Sequence, residues 1–240
     1  MIDREKIKKA YDAATARLLG EYQAGSWEGH LSSSALATAV ACFALAEHSR
    51  SRHEAAISKG LQWLADHQNP GGGWGDTPES RSNFPATLLV WSALKSVKPG
   101  KFQEQKQGAS SWVRKRLNTL DPETVADGVK NRYGGDRTFA TPILSVCALA
   151  GLLDDDDSEA WARVPPLPFE LVALPAVMYR MARLHVVSYA LPALIGLGIL
   201  CHTKQQRAGL LRRRFRNAMI PVFLKRLAKM QPGSGGFLEA

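Results

Sequence analysis

Residues 59–76, KGLQWLADHQNPGGGWGD, leave the chain few choices. The first ten read as a helix, with Leu61, Trp63, Leu64 and Ala65 apolar and no breaker among them. Asn69-Pro70-Gly71-Gly72-Gly73 then ends it, because Pro70 has no amide hydrogen and the glycines accept positive φ. Trp74 follows at once. A glutamine at the helix end (Gln68) can bond the open end of its own helix and a neighbour's backbone, while the indole covers the turn. Such a stretch is a connector between two antiparallel helices.

The connector recurs, which makes the chain a repeat array. An earlier copy, RLLGEYQAGSWEGHLSSSALATAVACFALAEH, carries Gln23, Gly25 and Trp27. A third, NRYGGDRTFATPILSVCALAGL, has Tyr133 in place of Trp and no Gln. A fourth, KRLAKMQPGSGGFLEA, has Gln231 and Phe237. In the first three an aromatic–Gly turn leads through a Ser/Thr-rich stretch into a helix ending in Ala-Leu. Uneven spacing between the copies points to insertions, the largest before the fourth.

The central copy resembles the QW motif of squalene-hopene and oxidosqualene cyclases, through Lys59, Gly60, Trp63, Leu64, Gln68, Gly73 and Trp74. WEGHLSSSAL at 27–36, YGGDRTFATPIL at 133–144 and VPPLPFEL at 164–171 are similar to the bacterial squalene-hopene cyclases. The resemblance implies an all-α fold, an α/α toroid of the squalene cyclase and prenyltransferase type. Those enzymes have two such domains. This chain looks like the amino-terminal half, a single domain over 1–240, with nine or ten helices where a full toroid has about a dozen.

Composition agrees with a helical repeat protein: 45% hydrophobic residues, six Trp and 20 Gly, with no alternating strand pattern. Net charge is +9, concentrated in 203–230 at Arg207, Arg212, Arg213, Arg214, Arg216, Lys225, Arg226 and Lys229. No nucleic-acid-binding element or interleaved stacking aromatics accompany it. These basic helices face either anionic lipid headgroups or plain solvent. Cys42, Cys147 and Cys201 sit apart in apolar runs without ligand spacing and read as reduced core residues. The amino terminus lacks the apolar core of a signal peptide, and no apolar run reaches membrane-spanning length.

In order, the sequence predicts an amphipathic helix over 3–20, with Ile7, Ala10, Tyr11, Ala14 and Leu18 on one side. A helix capped by Ser32, Ser33 or Ser34 covers 35–47, and one started by Ser82 or Asn83 covers 86–95. A linker over 95–108 precedes a helix near 110–117. A polar, turn-rich stretch fills 118–132. A buried helix over 138–153 has Pro142 in its first turn, and 154–159 is an acidic loop. The segment 164–202 holds Pro165, Pro166, Pro168, Pro175 and Pro192 among large apolar residues. It is either packed inside the toroid or part of an interfacial surface dipping into one leaflet. The resemblance places it on the membrane face and the substrate channel.

Asp154-Asp155-Asp156-Asp157 contains the Asp-x-Asp-Asp pattern with which these cyclases protonate an alkene, yet it does not fit. Such an acid must be kept protonated in an enclosed apolar site, whereas Ser158-Glu159 follows here. This reading assigns no catalytic residue to the chain. No metal or cofactor is expected: the six histidines show no ligand spacing, and the Asp-x-Cys of the zinc prenyltransferases is missing. By resemblance, Val186 lines the channel constriction and Tyr189 the cavity wall. Tyr189 either offers its ring face to a carbocation or is an ordinary buried tyrosine. Thr38, Val40 and Leu89 stand near where some family members place glutamates.

The resulting expectation is one half of a triterpene cyclase, which cyclises squalene or a related polyprenyl chain by protonation and a cation cascade. The acid would lie on a missing carboxy-terminal domain or partner subunit. The protein would be peripheral or monotopic on the cytoplasmic side of the cell membrane, in the hopanoid branch of isoprenoid chemistry. The alternative is a stand-alone, non-catalytic module that binds an isoprenoid lipid, or an inactive homologue.

Overall fold

The computed structural model describes residues 3–23, 25–27, 32–96, 100–134, 137–167, 169, 191–205, 209–231 and 233. Two compact units make up the chain, Met1–Ser33 and Ser34–Ala240. In the first, helix α1 (Arg4–Gly20) starts at Asp3, whose carboxylate accepts from the amides of Glu5 and Lys6. Strands β1 (Tyr22–Gln23) and β2 (Ser26–Trp27) pair antiparallel around Gly25, a two-residue ladder that the sequence did not announce. Nothing in α1 is buried, and Ile7, Tyr11 and Leu18 of its apolar stripe are exposed.

Among the described residues of the second unit, every regular element is a helix. Helices α2 (Ala35–Ser49), α4 (Phe84–Lys95), α7 (Arg137–Leu149) and α9 (Leu191–Gln205) pack side by side in that order. Against this row lie α3 (Glu54–Asp66), α5 (Gln103–Leu117), α6 (Pro122–Tyr133), α8 (Asp157–Ala162) and α10 (Leu210–Lys229). The result is an all-α, two-layer array in which inner and outer helices alternate along the chain, with α5 and α6 as an outer pair. The inner row is the apolar one. In α4 every residue but Trp91 and Lys95 is buried, so this helix is enclosed on all sides rather than along one stripe.

Caps fall where short polar side chains precede an apolar run. Ser34 Oγ accepts from Ala37 N, and Asn83 Oδ1 accepts from Ala86 N at 2.9 Å, with Pro85 in the first turn where it costs nothing. The other ends of the inner helices are joined sideways. Arg50, just past α2, donates to Ser96 O past α4, and Lys95, the last residue of α4, donates to Gly151 O past α7. Each cation meets carbonyls left open at a helix carboxy terminus.

Four boundaries differ from expectation. The stretch 118–132 is mostly helix α6: Asp121 caps it, Pro122 opens it, and Val125, Ala126 and Val129 supply a buried stripe narrow enough to be hidden among polar residues. Helix α5 starts at Gln103, inside the expected linker. Helix α7 stops at Leu149, where Gly151 takes φ +65° and Leu152 N turns back to Cys147 O. The acidic loop is partly helical, because Asp156 caps α8 by accepting from Glu159 N.

Candidate functional site

The connector after α3 is built as its residues require. Gln68 Nε2 donates to Gly72 O at 2.7 Å, closing its own turn, and to Gln105 O at 3.0 Å, reaching α5. Gly72 sits at φ +90°, and a Cβ there would lie 2.5 Å from Gly108 O. Only glycine satisfies both the turn and the close approach of α5. Trp74, 1% exposed, donates from its indole to Leu64 O at 2.7 Å, so the ring covers the end of α3 and satisfies one of its open carbonyls. Thr87 of α4 holds the backbone of Trp74 from both sides: its Oγ1 accepts from Trp74 N at 3.0 Å and donates to Trp74 O at 3.3 Å.

The first copy repeats the central indole bond. Trp27 Nε1 donates to Leu18 O at 2.7 Å, but here the ring is 51% exposed and lies against Tyr22. Gln23 pairs through its backbone with Ser26, and its side chain is outside the described set. In the third copy Tyr133 closes α6 before the glycine turn and stacks on Phe139 instead of covering a helix end. Gln231 is exposed just past α10. Of the expected structural residues, Gln68 and Trp74 therefore share one connector, while Trp27 shares the bonding pattern in a separate unit.

One exposed helix face is apolar and built of small residues. Helix α2 exposes Ala37, Val40, Ala41 and Ala44, one continuous face at helical spacing. Thr38 is half-buried and Leu89 is buried, so neither puts a polar group on that face. Val186 and Tyr189, expected at the channel, lie outside the described residues.

The acidic run has structural duties. Asp154 Oδ2 is 3.1 Å from Arg163, which also meets Glu123, and Asp156 is the α8 cap. Asp157 accepts from the Trp161 indole at 2.9 Å and pairs with Lys204 at 3.1 Å. These are carboxylates held by cations and N–H donors, the reverse of what an alkene-protonating acid needs.

The cysteines are inert by the same physics. Burial pushes the Cys147 thiol up to about 12, opposed only weakly by the Ser92 hydroxyl 3.7 Å away, and burial raises Cys42 and Cys201 as well. A thiol so raised stays protonated and is a poor nucleophile. His48 Nδ1 and His53 Nε2 stand 3.2 Å apart across the α2–α3 turn, close enough to share a hydrogen bond. Among the described residues, no three His, Cys, Asp or Glu side chains come together to hold a metal ion.

One cluster escaped the sequence reading. Phe169 lies between α9 and α10, with His202 tilted against its ring and the Arg216 guanidinium 5.3 Å from its centroid. His202 Nε2 and Asn217 Oδ1 are 2.9 Å apart. Arg216 is buried, whereas Arg212, Arg213 and Arg214 are exposed. The signal was present: Arg216, Ile220, Phe223 and Leu227 recur at steps of four, three and four, the period of a packed face.

Residues 5–89 match the family model described as the squalene-hopene cyclase C-terminal domain, which supports the squalene cyclase family. The matched stretch includes the first two connectors, α1 without its first residue, α2 and α3. Comparison with curated proteins gives no match, and neither does comparison with solved structures.

Proposed function

We propose that this chain, which carries squalene cyclase family sequence over residues 5–89, forms one wall of a triterpene cyclase acting on squalene or a similar polyprenyl chain. The observation that carries the reading is the connector geometry, with Gln68 and Trp74 locking α3, α5 and α4 together inside the matched region or beside it. Rigid inner helices with small apolar faces suit a long hydrocarbon that must be folded and kept from water while cations move along it. The chain corresponds on this reading to the amino-terminal half. Its likeness to a C-terminal-domain model reflects the common build of the two toroid halves. The acid comes from the other half, since Asp154, Asp156 and Asp157 are engaged elsewhere. The substrate's solubility favours work at the cytoplasmic face of the cell membrane, as a peripheral or monotopic protein.

Those same engaged carboxylates favour one alternative, a non-catalytic module that binds an isoprenoid lipid. A native-cell fractionation separates the two readings. The cyclase reading expects the chain in a species about twice 26.2 kDa or larger that carries an Asp-x-Asp-Asp-Thr segment and converts squalene to a cyclic product seen by gas chromatography and mass spectrometry. A 26.2 kDa species that holds an isoprenoid and makes no cyclic product overturns it in favour of the carrier.

A further inference from the structure

We propose that His48 and His53 form a two-imidazole site for a divalent transition-metal ion of the zinc, nickel and copper class, at the turn joining α2 to α3. The rings converge across that turn. His48 Nδ1 and His53 Nε2 are 3.2 Å apart, and the ring centroids are 5.4 Å apart. Nitrogens this close either share one proton or are bridged by one ion. At an ordinary metal–imidazole distance of about 2.0–2.1 Å, an ion bound to both would see them at about 100°, between the angles of octahedral and tetrahedral coordination.

The local fold supplies both spacing and access. His48 lies in the last turn of α2, and His53 is the residue before α3. Their separation of five residues falls outside the four-residue repeat that puts two side chains on one helix face, so the sequence shows no ligand spacing. The turn makes the spacing instead. His53 N donates to Ser49 O at 3.2 Å, and Ile57 N donates to His53 O at 2.9 Å. His48 is exposed and His53 half-buried, so solvent reaches the pair and can fill the remaining positions of the ion. Glu47 and Glu54, next to the pair in sequence, balance Arg50 and Arg52, and Arg50 is turned to Ser96 O. Imidazole suits zinc, nickel and copper, whereas magnesium and calcium take oxygen ligands. With both rings neutral, the ion takes the place of the shared proton once that proton moves to the far nitrogen of its own ring. No net proton is released. The far end of α3 is locked by Gln68 and Trp74, but its start has no side-chain cap. An ion on this pair ties that start to the end of α2.

The inference is independent of the cyclase reading. The test is titration calorimetry of the full 240-residue chain, stripped with EDTA, with zinc chloride and nickel chloride against magnesium chloride in a non-chelating buffer at pH 7.5. One zinc or nickel ion should bind per chain, and magnesium should give no heat. H48Q and H53Q should each weaken binding at least about tenfold, because either one turns a chelate into a single ligand. With free zinc at about ten times the measured dissociation constant, the melting temperature should rise by roughly 3–6 °C in the parent and in neither variant. If H53Q lowers the metal-free melting temperature, H48Q carries the comparison, since His48 is exposed. Zinc affinity unchanged in H48Q, or an equal response to magnesium, overturns the proposal. Half an ion per chain with a dimer in sedimentation also overturns it, because the ion would then be shared between copies.

Discussion

Gln68→Glu isolates what the glutamine does. The substitution keeps the size and shape of the side chain and removes both N–H donors. Gly72 O at 2.7 Å and Gln105 O at 3.0 Å then face a carboxylate oxygen instead of an amide nitrogen. Each half-buried carbonyl that loses its donor costs about 1–1.5 kcal/mol, so the pair predicts about 2–3 kcal/mol of destabilisation. In a chain of this length that corresponds to a fall of roughly 5–10 °C in melting temperature. The acceptor-lined site favours the protonated acid, so the introduced carboxyl titrates higher folded than unfolded. The native state then binds more protons than the unfolded state, and the deficit against the parent must shrink as pH falls from 7.5 towards 5. Urea unfolding of both proteins, followed by circular dichroism at the two pH values, reads both effects. A variant within 0.5 kcal/mol of its parent at pH 7.5, or a deficit that grows on acidification, refutes the reasoning.

Two further outcomes follow from the core. Thr87→Val fills the same space but leaves Trp74 N without its acceptor, while Trp74 O keeps its bond from Asn83 N at 2.8 Å. The expected loss is about 2 kcal/mol, measured by urea unfolding with tryptophan fluorescence. Cys42, Cys147 and Cys201 should be unreactive to a thiol reagent at pH 8 in the native chain and should react after unfolding. Cys147 ties that inertness to stability. Its thiol ionises near 9 when unfolded but is pushed up to about 12 in the fold, so its contribution is complete below pH 9 and is lost as pH rises from about 9 towards 12. A melting temperature that stays flat across that window would count against burial as the cause.

The elements that could be read from sequence are those whose local chemistry dictates them. Asn83 and Pro85 mark the start of α4, Pro70 and the glycines mark the end of α3, and the bonding powers of Gln68 and Trp74 are intrinsic to their side chains. What stayed hidden depends on tertiary contact. Helix α6 has too few apolar residues to show a stripe, and its packing against α5 and α7 makes Val125, Ala126 and Val129 part of a core. Gly108 looks like a flaw in α5 until Gly72 of the facing turn is placed beside it. The exposure of Trp27 against the burial of Trp74 was likewise out of reach, since the two copies share a motif and differ in surroundings. At the candidate site, the apolar face of α2 follows from periodicity. The burial of Arg216 beside Phe169 required separating it from the three arginines at 212–214.

The sideways bonds from Arg50 to Ser96 O and from Lys95 to Gly151 O bear on how the array comes apart. Each ties the last turn of one inner helix to the chain just beyond the next, so each of these ends is held in part by its neighbour. In a linear array whose stability is a sum of unit and neighbour terms, such ties enlarge the neighbour term. Unfolding should then advance as a front from repeat to repeat, and damage to α2 should be felt in α4 before it is felt in α7.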